Sequence, residues 1–104
     1  MTIEEQTKTD LIKYKLEQAR ETIEVVDLLL KNDKFSTAVN RIYYGMFYSI
    51  LALALQNNYE TSKHQQLIGW FNKEFIRTGL IEKDYGRMLR DAYENRNYGD
   101  YDIL

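Results

Sequence analysis

Between Phe35 and Gln56 the chain reads FSTAVNRIYYGMFYSILALALQ, and Arg41 is the only charged residue in the stretch. Val39, Ile42 or Tyr43, Met46, Ile50 and Leu53 mark one helical face, and Tyr44, Tyr48, Leu51 and Leu55 mark another. A helix apolar nearly all round is buried on several sides. The stretch is therefore either the central helix of a bundle or a helix that also faces a partner subunit. Gly45 costs about 1 kcal/mol against alanine in a helix interior, which points to a close helix approach there.

Flanking segments supply the neighbours. Ile12, Leu16, Ala19, Ile23, Val26 and Leu30 recur with spacing 4, 3, 4, 3, 4, the stripe of an amphipathic helix starting near Thr9 after a polar lead-in over 1–8. Lys31 to Lys34 break that pattern, so the first two helices form an antiparallel hairpin. After a polar loop, Asn57 to Thr61, Ser62 and Gln65 fit a capping box that opens a third helix with the stripe Leu67, Ile68, Phe71 and Phe75. Gly79 reads as a left-handed helix stop. A fourth helix follows, with Tyr85, Leu89, Ala92 and Arg96 on its inward stripe and Arg87–Asp91 and Arg90–Glu94 as ion pairs one turn apart. The expected architecture is one all-α domain over 1–104, an up-down helical bundle of four helices with room for a fifth.

Composition narrows the chemistry. The chain has 104 residues, 44% hydrophobic and 29% charged, enough for one packed core. It has no cysteine and no proline, and only five glycines. Disulfides, thiolate metal sites and a cysteine nucleophile are excluded, and a turn-rich β-sandwich or barrel is disfavoured. One histidine excludes zinc sites built on two, and the carboxylates lack metal-cluster spacing, so neither metal nor other cofactor is expected. The formal charge of −2 argues against a protein that coats DNA by bulk positive charge. The opening residues show no secretory pattern, and the run Ile42–Leu55, 14 residues, is shorter than the roughly 20 of a membrane span. The expected compartment is the cytoplasm, with no membrane partner.

Three positions stand out as candidate site residues. Arg96 ends the inward stripe of its helix. Burying an unpaired charge costs several kcal/mol, so its guanidinium must meet an anion or acceptors. These are either Asp100, Asp102 or a carboxylate of the first helix, or a bound phosphate, which suits the planar fork. His64 stands in the first turn of the third helix. It is either a partly exposed residue near the cap or a group converging on Arg96. A helix N-terminus favours neutral imidazole, so there it would act as a base or hydrogen-bond donor rather than a counter-charge. Arg41 either packs its stem on aromatic rings or adds a second anion contact. The nine tyrosines suit half-wet contact surfaces better than base stacking.

The segment Arg96-Asn97-Tyr98-Gly99-Asp100-Tyr101 resembles the terminal motif of HEPN domains, in which an arginine, often followed by a polar residue, precedes a histidine by four to six positions. Asn40 to Tyr48 resembles the second helix of the short prokaryotic HEPN proteins of the UPF0332 kind. Ser62-Lys63-His64, Phe71, Lys73 to Phe75 and Thr78 to Ile81 resemble the centre of the same group. The likeness runs from about Leu11 to Asp102.

The resemblance implies a helical homodimer with a nucleotide or RNA site at Arg96, Asn97, Asp100, Tyr101 and Arg41. It also implies a small nucleotidyltransferase partner in a toxin–antitoxin pair, with Tyr101 or Tyr98 as the modified residue. In HEPN ribonucleases arginine and histidine act together on RNA in a dimer cleft, without metal. Here Tyr101 stands where the histidine would, and tyrosine's free pKa of about 10 suits it poorly to acid–base work near neutral pH. Three readings follow: a binding and interaction module, a metal-independent endoribonuclease toxin using Arg96 with His64 or Tyr101, and a purely structural dimerisation subunit. The resemblance also implies a further helix after the motif, where only Asp102, Ile103 and Leu104 remain.

Overall fold

Helix α1 spans Ile3–Glu24, and a computed structural model describes the chain from residue 2 to residue 96. The start of α1 overturns the polar lead-in over 1–8. Thr2 caps the helix, its hydroxyl accepting the Glu5 N–H at 3.1 Å, while Glu4 and Glu5 face the positive helix end. At the other end Thr22 donates its hydroxyl to the Gln18 carbonyl at 2.7 Å, a back-bond that bends helices. The chain breaks at Val25 and resumes as α2, Val26–Lys31.

Helix α3, Phe35–Gln56, falls where the sequence puts it and forms the centre. Ala38, Tyr43, Gly45, Phe47, Ile50, Ala52 and Ala54 are buried along it, and the helices before and after it all pack on it. At the ambiguous pair, Tyr43 points inward and Ile42 outward. Gly45 marks the expected close approach: a Cβ there would collide with the tip of Ile23 on α1. By length and hydropathy α3, taken whole, could cross a bilayer, contrary to the expectation from Ile42–Leu55 alone; here it is the core helix of a bundle.

The third helix, α4, spans His64–Phe71 and widens into a π-helical turn, Asn72–Ile76; the last described helix, α5, spans Lys83–Asn95. Leu67, Phe71 and Leu89 join Tyr43, Phe47 and Ile50 in the core. Ser62 does not cap α4. Thr61 does related work one residue earlier, donating to Gln66 at 2.7 Å and accepting the Lys63 N–H at 3.2 Å.

Each turn passes through one left-handed residue: Asp33 (φ 58°), Asn58 (φ 59°) and Gly79 (φ 79°). The first two close Schellman motifs, with Lys34 N–H to Leu29 C=O and Tyr59 N–H to Ala54 C=O, both 2.8 Å. Asp and Asn tolerate this conformation, so a chain poor in glycine still turns.

The described residues thus form an all-α up-down bundle without strands among them. Two packing expectations fail. Arg87 pairs with Asp84, and Arg90 approaches Asp91 at 3.9 Å, in place of Arg87–Asp91 and Arg90–Glu94. Tyr85, assigned to the inward stripe, is 52% exposed, and Leu16 and Ile23 on α1 are nearly as open. These residues border an apolar surface between α1, α3 and α5, where Met46, Ile50, Phe71 and Tyr85 line a groove.

Candidate functional site

Arg96 sits at the C-cap of α5, half-buried, as the inward stripe requires. What meets its charge differs from the expectation. Among the described residues no carboxylate pairs with it, so the carboxylate expected on the first helix does not meet it; Asp100 and Asp102 lie outside the described residues. The guanidinium lies instead over aromatic rings, its Cζ 3.9 Å from the centroid of Tyr93 and 5.7 Å from that of Tyr43. One NH donates to the Tyr93 carbonyl at 2.5 Å. Ring quadrupoles attract a cation over their faces, so among the described residues the charge is met by rings and a carbonyl rather than by an anion.

Asn40 ties this end of α5 to α3. Its Nδ2 donates to the Arg96 carbonyl at 3.0 Å, and its Oδ1 accepts from Arg41 at 2.8 and 3.3 Å. Arg41 also lies over Tyr44, 5.4 Å from the ring centroid, as its stem-packing reading expects. The two arginines thus meet at one asparagine, on the same end of the bundle. Among the described residues Arg41 has no carboxylate partner either.

His64 reaches the same cluster from α4. As first residue of its helix it turns inward. Its ring stacks on Phe47 (centroids 4.0 Å apart, planes at 14°) and lies 5.7 Å from the Tyr43 ring. Nδ1 and the Tyr43 hydroxyl share a hydrogen bond of 2.5 Å. Tyr43 is fully buried, flanked by His64 and Arg96. Burial pushes its phenol well above the ordinary value, the Arg96 charge opposing only in part. Burial lowers the His64 pKa, and the nearby Arg96 cation lowers it further, so the neutral imidazole is favoured.

Of the residues singled out in the sequence, Arg96, Arg41 and His64 converge here, while Asn97, Asp100 and Tyr101 lie outside the described residues. Tyr43 and Asn40, which link the three, went unrecognised. A tyrosine in an uncharged helix reads as core, and only its buried hydroxyl, which needs a partner, hinted at more. Among the described residues no group of His, Asp and Glu could hold a metal ion.

Comparisons with known proteins identify the family. A family profile described as "HEPN domain" matches residues 12–103. A protein of Thermotoga maritima named "UPF0332 protein" is 42% identical over 93% of this chain and 74% of its own length. Two proteins of Methanocaldococcus jannaschii, each named "putative toxin", are 34% and 36% identical, over 84% and 86% of this chain and 59% and 67% of their own lengths. The chain therefore spans between about three-fifths and three-quarters of these relatives. No solved structure gives a significant match.

Proposed function

The chain belongs to the HEPN family, and from that premise we propose that it is a toxin–antitoxin-type module that binds a nucleotide or RNA at the Arg96 end of the bundle. The proposal includes a homodimer, a nucleotidyltransferase partner and the cytoplasm as the place of action. The observation that carries it is the Arg96 guanidinium lying over the Tyr93 ring, 3.9 Å from its centroid, without a carboxylate among the described residues. A cation fixed by rings keeps N–H donors for a phosphate, and the fork suits two phosphate oxygens. Arg41 adds a second positive charge through Asn40, and His64 adds a neutral imidazole. Names of two relatives support the toxin–antitoxin setting.

The test compares RNA and nucleotide affinity of wild type and Arg96→Ala by fluorescence anisotropy. We expect at least a tenfold loss, about 1.4 kcal/mol; equal affinity would remove Arg96 from the site.

One observation favours a second reading, the endoribonuclease. The histidine absent after Arg96 is supplied from α4, where His64 joins Arg96 through Tyr43. Induced expression in bacteria discriminates: growth arrest with RNA cleavage that His64→Ala abolishes supports it. The third reading, a structural subunit, requires Arg96→Ala to lower only the melting temperature.

A further inference from the structure

His64 also lines a groove that does not include Arg96. It runs between α1, α3 and the connection over 57–63, with a volume of about 370 Å³. Phe47, Tyr48 and Tyr59 supply flat apolar wall, and Lys15, Glu60 and His64 are its ionisable members. Arg96 is not among its lining residues.

Two features give the groove a defined polarity. The first is the state of His64. The Tyr43 hydroxyl is buried and must donate its proton, and among the described residues its one acceptor is Nδ1 of His64. With Nδ1 accepting, the proton of the neutral ring sits on Nε2. That N–H has no partner among the described residues, so His64 offers the groove a donor. The second feature is Lys15 on α1. Its ammonium lies 5.7 Å from the ring centroids of both Tyr14 and Tyr48, donates to Gln18 at 3.3 Å, and meets no carboxylate among the described residues. A donor and a cation thus flank one apolar hollow.

We propose that this groove is a second ligand site, for a small organic phosphate with a flat apolar group, in which Tyr43 is a positioning residue that holds His64 as an Nε2–H donor opposite the Lys15 ammonium. The phosphate accepts from His64 and Lys15, and the flat group packs on Tyr48 and Tyr59. Glu60 at the rim repels the anion and sets an upper limit on affinity. The groove shares His64 with the Arg96 cluster but does not include Arg96, so variants of Lys15 and Tyr48 test it apart from that reading.

Phenyl phosphate, titrated into the full chain by calorimetry and by long-range proton–nitrogen NMR of His64, tests the inference. We expect binding at least tenfold tighter than that of inorganic phosphate. Lys15→Gln and Tyr48→Leu should each weaken it at least fivefold, and Glu60→Gln should tighten it. In the free protein the NMR should show Nε2 protonated and Nδ1 bare, and Tyr43→Phe should mix the two tautomers. Absence of phenyl phosphate binding would overturn the proposal, as would binding indifferent to Lys15→Gln, or a proton on Nδ1 of wild type. Lys15 packs at the surface of α1, so its variant folds even if Tyr43→Phe does not. Binding lost in Arg96→Ala but kept in Lys15→Gln would assign the phosphate to the Arg96 cleft, supporting the proposed function and overturning this site. The reverse pattern would support the groove and leave the Arg96 cleft to its own RNA-affinity test.

Discussion

Removing one oxygen from Tyr43 tests the centre of the site and the packing around it together. Tyr43→Phe keeps the ring, and so keeps the contacts with Phe47, Tyr93 and the Arg96 guanidinium. What disappears is the 2.5 Å bond to His64 Nδ1. A buried hydrogen bond contributes about 0.5–1.5 kcal/mol net, and an acceptor left unpaired costs about 1–3 kcal/mol. Two factors reduce the sum. His64 is only half-buried, so water can reach its ring in part, and the mutant no longer buries a hydroxyl. The expected loss is therefore about 1–2 kcal/mol. For a domain of this size each kcal/mol shifts the midpoint by about 4–8 °C, so the melting temperature should fall by about 5–15 °C. Urea unfolding followed by circular dichroism measures the free energy. Trp70, stacked on Tyr59 at 5.0 Å, gives an independent fluorescence signal. Stability within about 0.5 kcal/mol of wild type, the range of an inconsequential surface change, would refute the reasoning. It would mean that the hydroxyl and imidazole do not hold each other in solution.

Three further outcomes follow from the same geometry. Arg96→Lys keeps the charge but loses the guanidinium over Tyr93 and the fork; it should cost about 0.5–1 kcal/mol in urea unfolding while failing to restore the affinity lost in Arg96→Ala, and full restoration would mean that charge alone suffices. The depressed His64 pKa makes stability pH-dependent with a definite sign: the unfolded chain takes up the imidazole proton more readily, so this contribution is complete above the unfolded value of about 6.5 and is lost as pH falls through the folded value; urea midpoints at pH 7.5 and 5.5 should differ more in wild type than in His64→Gln. Gly45→Leu should destabilise by about 1–3 kcal/mol through overpacking against Ile23, and Ile23→Ala should recover part of that loss in a double-mutant cycle; strictly additive effects would place the crowding elsewhere.

The fold was legible where one physical signal dominated. Helix α3 announced itself by the lack of charge from Phe35 to Leu55 save Arg41, and its ends match the structure. The start of α1 was hidden because its first turns are polar. Ile3 is 86% exposed and buries nothing, and the signal there is a cap, Thr2, followed by Glu4 and Glu5. Apolar periodicity cannot see a helix that begins before it has a neighbour. The α4 start was misassigned because Ser62 and Gln65 have the composition of a capping box, yet Lys63 holds the cap position and it is Gln66 that bonds back, to Thr61. Nothing in the sequence flagged the π-helical turn at Asn72–Ile76. Gly86 on α5 faces it, where a Cβ would sit 3.3 Å from both Asn72 Oδ1 and Ile76 Cγ2. The widened turn is a tertiary fit, not a local preference.

The site divides the same way, with a consequence for what it can bind. Arg96 was legible because a charge on an inward stripe contradicts its surroundings, and such contradictions mark sites. Its surroundings were not legible, since Asn40 lies 56 positions from Arg96 and Tyr43 lies 21 from His64, and contacts at those separations have no spacing signature. The expectation that the guanidinium must meet an anion or acceptors named only carboxylates or a phosphate as the remedy for a half-buried cation. Ring faces are another, and the difference matters. A carboxylate would neutralise the charge and occupy the fork, leaving little for a ligand. The faces of Tyr93 and Tyr43 attract the guanidinium without neutralising it, and among the described residues its one hydrogen bond goes to the Tyr93 carbonyl. A substitution that puts a carboxylate beside it, Asn40→Asp, should therefore silence the site without unfolding it. The aspartate keeps an acceptor for Arg41, loses the donor to the Arg96 carbonyl, and adds a negative charge between the two arginines. Anion affinity should fall at least as far as in Arg96→Ala, with a stability loss of about 1 kcal/mol for the one hydrogen bond. Undiminished anion binding in Asn40→Asp would show that the arginines are not where the anion sits.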